Sequence, residues 1–224
     1  LFHNNIGFGL TLPEGSAAAR VSNGLLAMNG ERHRQQRRLM LPAFHRRQVA
    51  GYHALMVETI ERHLRAWTPG DTRDIACEMQ ELTLAVALRT LFSLEPGPTA
   101  RDLGASFTAS LEVDISPLES LLPDAFPGPG TRRLIAIAEQ IEAQVRALIA
   151  ERRSDATPRN DVLATLIAAR DEDGAALTDD ELVGQTYTLF AAGHETSATA
   201  LAWALFLLQQ HPAILADLHA ELDA

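Results

Sequence analysis

Between residues 178 and 212 the sequence leaves little choice of structure. Thr178-Asp179-Asp180-Glu181 forms a capping box: the threonine hydroxyl accepts the amide of Glu181, and Glu181 reaches back. A helical pattern then runs to Gln210, where His211-Pro212 stops it. At about 1.5 Å per residue, roughly 31 residues make a rod of about 46 Å. Its apolar residues lie nearly all round, which predicts a helix running through a core. Pro212 then suits the first turn of a final helix.

Helical spacing also dominates upstream. Val49, Tyr52, Met56, Ile60, Leu64 and Trp67 step by three or four and so share a face, until Thr68-Pro69-Gly70 ends the run. Asp74 can cap a following helix that carries Ile75, Met79, Leu82 and Val86 on one side. Further helices are predicted over 100–113, 131–153 and 160–170, and a basic one over 30–41 that Pro42 closes. The opening, to about Ser22, reads as irregular. Pro117, Pro123, Pro127 and Pro129 mark a loop. Strand alternation and solenoid repeats are absent from the pattern. The expectation is a mainly α chain of eight or so helices in a single domain.

Composition narrows the function classes. Hydrophobic residues at 46% and charged residues at 21% fit a globular protein. The net charge of -10 argues against non-specific binding to nucleic acid, and all 19 basic residues are arginine. One cysteine, Cys77, rules out an internal disulfide framework and a cysteine-rich zinc site; it is predicted to be a packing residue in a reducing, cytoplasmic setting. The histidines show no metal-ligand spacing. No apolar run is long enough to predict a membrane span, and residues 1–12 do not resemble a signal peptide.

Chemistry concentrates in Ala191-Ala192-Gly193-His194-Glu195-Thr196-Ser197, mid-way along the long helix. A glycine in a buried helix costs about 1 kcal/mol relative to alanine, and a glutamate beside it needs a partner or water. Small residues leave room at the helix wall, and a hydroxyl and an acid follow at once. Room, hydroxyl and acid are what proton delivery requires. A packing glycine beside a surface acid would give the same letters; the central position favours function.

This stretch resembles the oxygen-binding helix of the cytochrome P-450 family of haem-thiolate monooxygenases, whose pattern is Ala/Gly-Gly-x-Asp/Glu-Thr-Thr/Ser. The resemblance implies that Ala192 and Gly193 line a groove over the haem where dioxygen binds. It makes Thr196 the oxygen-activating hydroxyl and Glu195 the acid that helps supply protons; His194, at a variable position, is structural. A second stretch, from Gly30 to Phe44, resembles the family's haem-edge helix, with its Gly-x-x-His/Trp-x-x-x-Arg-Arg and Pro-x-Phe pattern. His33 and Arg37 are four apart on one helix face and suit the haem carboxylates. A solvated basic helix is the plain reading of Arg32 and Arg34. Arg38, Arg46 and Arg47 fall where the family docks acidic redox partners. Leu25 and Leu26 fall where it packs side chains over haem and substrate, and residues 112–129 where it keeps a substrate lid.

The family's axial-cysteine loop, Phe-x-x-Gly-x-x-x-Cys-x-Gly, has no match here, and the letters Glu31-Arg32-His33-Arg34 match its Glu-x-x-Arg pair only by chance. The expectation is a P-450-like domain over 1–224, incomplete after the helix that follows the long one and at the N-terminus, with no metal ligand of its own. Completed, it would be a haem b iron enzyme that inserts oxygen from dioxygen into a small lipophilic substrate. Electrons would come from NAD(P)H through a ferredoxin or flavin reductase donor. A non-catalytic helical remnant, or a binding protein for apolar ligands, is the alternative.

Overall fold

Short-range signals account for most of the helix starts in the computed structural model, which describes residues 12, 15–116, 119, 127–155, 157 and 159–223. Its helices are α1 (Ala17–Ser22), α2 (Gly30–Met40), α3 (Arg46–Leu64), α4 (Ile75–Phe92), α5 (Pro98–Leu111), α6 (Pro129–Ser154), α7 (Val162–Ala168), α8 (Asp179–Gln210) and α9 (Pro212–Leu222). Two 3-10 turns, Leu25–Ala27 and Leu41–Phe44, flank α2. Asp74 caps α4 by accepting the amides of Ala76 and Cys77 at 3.0 and 3.2 Å. Both halves of the predicted capping box form at Thr178 and Glu181. Among the described residues there is no strand, only an isolated bridge between Arg170 and Ala176.

The first half of α8 is the axis. α4 lies along it, α1 packs on both α8 and α6, and α5 rests on α6. Between them sit Phe92, Leu103, Phe107, Ile141, Val145 and Phe190, all at most 1% exposed. The rings of Phe107 and Phe190 stack at 4.2 Å, and Phe92 lies 6.2 Å from Phe107. Such close packing fixes which side of α8 faces inward.

Several expectations need correction. α8 runs through the core only as far as Ala198; beyond it Leu201, Trp203, Leu205, Phe206 and Leu207 are exposed, because nothing described packs over them. The segment 17–22, read as irregular, is helical, since Ser16 caps it by accepting the amide of Ala19 at 3.1 Å. The predicted apolar face of α3 is only partly covered: Tyr52 is buried, whereas Val49, Ile60 and Leu64 are exposed. Cys77 is exposed rather than packed, because the first turn of α4 faces solvent. Half of the predicted lid, residues 117, 118 and 120–126, lies outside the described residues.

Candidate functional site

Gln185, Ala192 and Thr196 are spaced seven and four apart and so fall on one stripe of α8. At the upstream end the stripe is covered. The backbone at Asn23 and Gly24 lies directly on α8: a Cβ at Gly24 would sit 1.8 Å from Thr188 Oγ1, and one at Gly184 would sit 2.7 Å from the carbonyl oxygen of Asn23. Only glycines allow that approach. It seats the turn carrying Leu25 and Leu26 on the face that Ala192 and Thr196 continue about two turns later. Leu25 is half-buried there; Leu26 projects, at 71% exposed.

Farther along, the stripe opens. Ala192, Gly193 and Thr196 are exposed, and a Cβ at Gly193 would meet nothing within 4 Å. α8 stays regularly helical through this stretch. The Thr196 hydroxyl donates back to the Ala192 carbonyl at 2.5 Å, a local bond that parks the hydroxyl against the helix wall. Glu195 is half-buried and has no hydrogen-bond or ion-pair partner among the described residues.

His194 faces the other way. It is 1% exposed, its ring centroid lies 5.2 Å from that of Phe190, and its Nδ1 is 2.9 Å from Thr83 Oγ1. The Thr83 proton goes to the Met79 carbonyl at 2.8 Å, so Nδ1–H of His194 donates to Thr83. Burial pushes the imidazole pKa down, with Glu195 pulling the other way. His194 thus anchors α8 to α4 and turns Gly193 and Thr196 outward.

On α2 the basic side chains divide into two sets. Arg34 pairs with Glu31 at 2.7 Å, Arg38 with Glu172 at 3.5 Å, and Arg32 approaches Glu181 at 3.9 Å. His33 and Arg37, one turn apart, have no carboxylate partner among the described residues. Two donor side chains without a carboxylate partner on one helix face fit a ligand with two carboxylates, as a haem edge presents.

Sequence reasoning missed the link between these parts. Gln185 is 0% exposed and Gln36 3% exposed. The Leu25 amide donates to Gln185 Oε1 at 2.9 Å, and Gln185 Nε2 donates to Gln36 Oε1 at 3.1 Å. Gln36 Nε2 in turn donates to Glu181 Oε1 at 2.8 Å. A signal existed: Gln36 shares a helix face with Leu39 and Met40, and Gln185 falls between Leu182 and Leu189 at core spacing.

Comparison with known proteins identifies the family. The family profile described as "Cytochrome P450" matches residues 14–224. The chain is 34% identical over 209 residues to cyclooctat-9-en-7-ol 5-monooxygenase of Streptomyces melanosporofaciens, covering 91% of this chain and 45% of that protein. It is 35% identical over 208 residues to pentalenene oxygenase of Streptomyces avermitilis, covering 91% of this chain and 46% of the relative. Among solved structures, retinoic acid bound cyanobacterial CYP120A1 superposes with a TM-score of 0.76 at 25% identity, covering 92% of this chain and 46% of that one. The chain therefore spans a little under half the length of the relatives it matches.

Proposed function

This chain belongs to the cytochrome P-450 family, and from that premise we propose that it supplies the oxygen-binding and haem-edge helices of a haem-dependent monooxygenase. The observation that carries the proposal is the open face of α8, where Gly193 leaves free space one turn from the Thr196 hydroxyl. When bound, a haem would supply the activation of dioxygen.

The chain's own residues divide the remaining work. His33 and Arg37 hold the cofactor's carboxylates, an arrangement that leaves the paired arginines of α2 on the solvent side. Ala192 and Gly193 keep side-chain bulk away from the reacting atoms. Leu25 and Leu26 give the cofactor and substrate an apolar contact. Thr196 presents, on the open face of α8, a hydroxyl that could leave the Ala192 carbonyl to hold or pass a proton there. Glu195, unpaired and half-buried, relays protons between solvent and that hydroxyl.

Cys77 does not fit as the iron's ligand: it lies on the exposed first turn of α4, not on the open stripe of α8 that carries Thr196. The reading therefore requires a cysteine from outside these 224 residues, with which they would form one helical domain. Two relatives are named for cyclooctat-9-en-7-ol and pentalenene, which supports a small lipophilic substrate. A ferredoxin or flavin reductase fed by NAD(P)H would donate the electrons. Among the described residues no single helix is long and apolar enough to cross a membrane.

The test is the absorption spectrum of the reduced, carbon-monoxide-bound full-length protein. The red-shifted Soret band of thiolate-ligated haem is expected, and its absence overturns the reading. Thr196→Ala should retain that band while more reducing equivalents are consumed per product formed. An unchanged ratio would remove Thr196 from the site.

A further inference from the structure

We propose that Gln185 is a positioning residue for the cofactor edge, acting through Gln36 on α2 and through the Leu25 amide. The inference rests on the haem reading above. Its carrier is a hydrogen-bond chain with a fixed sense. At one end the Leu25 N–H can only donate; at the other the Glu181 carboxylate only accepts. Both amide groups between them are thereby oriented: Oε1 of Gln185 toward Leu25, its Nε2 toward Gln36 Oε1, and Gln36 Nε2 toward Glu181. Met28 Sδ lies 3.8 Å from Gln185 Nε2 and completes its surroundings.

A leucine would fill a similar volume at Gln185 without fixing anything. A buried amide is costly unless each polar atom is matched, so it tolerates one arrangement of its neighbours where an apolar side chain tolerates several. The elements it fixes are those that carry the proposed cofactor contacts. Gln36 precedes Arg37 and lies three residues after His33, so pinning Gln36 sets the rotation of α2 about its axis and the direction in which both side chains point. The Leu25 amide fixes the turn that holds Leu25 and Leu26. Glu181 belongs to the capping box, so the same chain ties α2 to the first turn of α8.

The test is a double-mutant cycle on the full-length, haem-loaded protein, read as the rate of haem loss to a scavenging apoprotein. Gln185→Leu should speed haem loss about tenfold, the scale seen when groups that orient a cofactor's contacts are removed. Arg37→Ala should do much the same, and the double variant should lose haem more slowly than the product of the two single effects, because part of what Gln185 does passes through Arg37. Amide exchange at Leu25 and along α2 should rise in Gln185→Leu. If Gln185→Leu does not fold, Gln36→Leu breaks the chain from the α2 side and should show the same coupling to Arg37→Ala. Multiplicative effects, or an unchanged rate, overturn the inference while leaving the haem reading standing. A wild-type protein that holds no haem overturns both.

Discussion

A methyl group added at Gly193 would stand in open space, whereas one added at Gly184 would press on the backbone of Asn23. The two glycines of α8 thus answer different demands, and replacing each by alanine should give opposite signs. Gly193→Ala should stabilise the fold by about 0.5–1 kcal/mol, the usual gain in an exposed helix interior. The same methyl would occupy the space proposed for oxygen and slow turnover. Gly184→Ala should destabilise by about 1–3 kcal/mol through overpacking. Denaturant midpoints check both; a destabilising Gly193→Ala would mean that the open face is not open. His194 gives a pH signature. Burial holds its folded pKa below the ordinary 6.5, opposed by Glu195, so an unfolded chain binds this proton more readily. The stability it contributes is complete above pH 6.5 and is lost as pH falls from there through the folded pKa. One proton limits the slope to about 1.4 kcal/mol per pH unit. His194→Phe should flatten that part of a stability–pH curve measured by denaturation.

At the scale of elements, the signals readable in advance were those carried by neighbouring residues. The Thr178 capping box, the Asp74 cap and Pro212 all form as their spacing predicts. What could not be read was which neighbour would cover each face. α3 and the far half of α8 are as apolar in pattern as the buried helices, and periodicity gives no account of the missing partner. Long-range polar links were hidden for the same reason: Gln36 and Gln185 stand 149 residues apart and look like breaks in two apolar faces until they meet. The ion pair between Arg152 on α6 and Asp161 at the cap of α7 is another such link, at 3.2 Å with side chains 5% and 1% exposed. Asp161 also caps α7 by accepting the Ala164 amide at 2.7 Å. Asp161→Ala would strand the guanidinium in the interior, where Arg152 Nε and Nη1 already have no hydrogen-bond partner. The expected cost is about 3–5 kcal/mol. A thermal or denaturant midpoint that barely moves would show that water or local rearrangement rescues the charge.

For the whole molecule, the distribution of apolar surface carries the argument furthest. Past Ala198, α8 leaves the core and turns by 111° into α9, exposing Trp203 at 59%, Phe206 at 54%, Ile214 at 57% and Leu222 at 74%. The Trp203 and Phe206 rings meet edge-on at 5.7 Å, so they form one patch. A patch of this kind marks a surface that something else covers. The matched relatives are more than twice as long as the stretch they share with this chain. The 224 residues expressed alone should therefore self-associate, and the pair Trp203→Glu and Phe206→Glu should shift them toward monomer in light scattering after size exclusion. Because the two rings are exposed and meet chiefly each other, these changes should move stability by no more than about 0.5 kcal/mol, leaving helical circular dichroism intact. In a full-length protein the sign should reverse. If further chain buries the patch, the same two glutamates would lose about 1.5–3 kcal/mol of burial at each position and destabilise the fold. Concentration-independent monomers of the wild-type 224 residues would refute the first half of this prediction. A full-length protein indifferent to the two glutamates would refute the second, and would point to a separate partner as the cover for this end of α8.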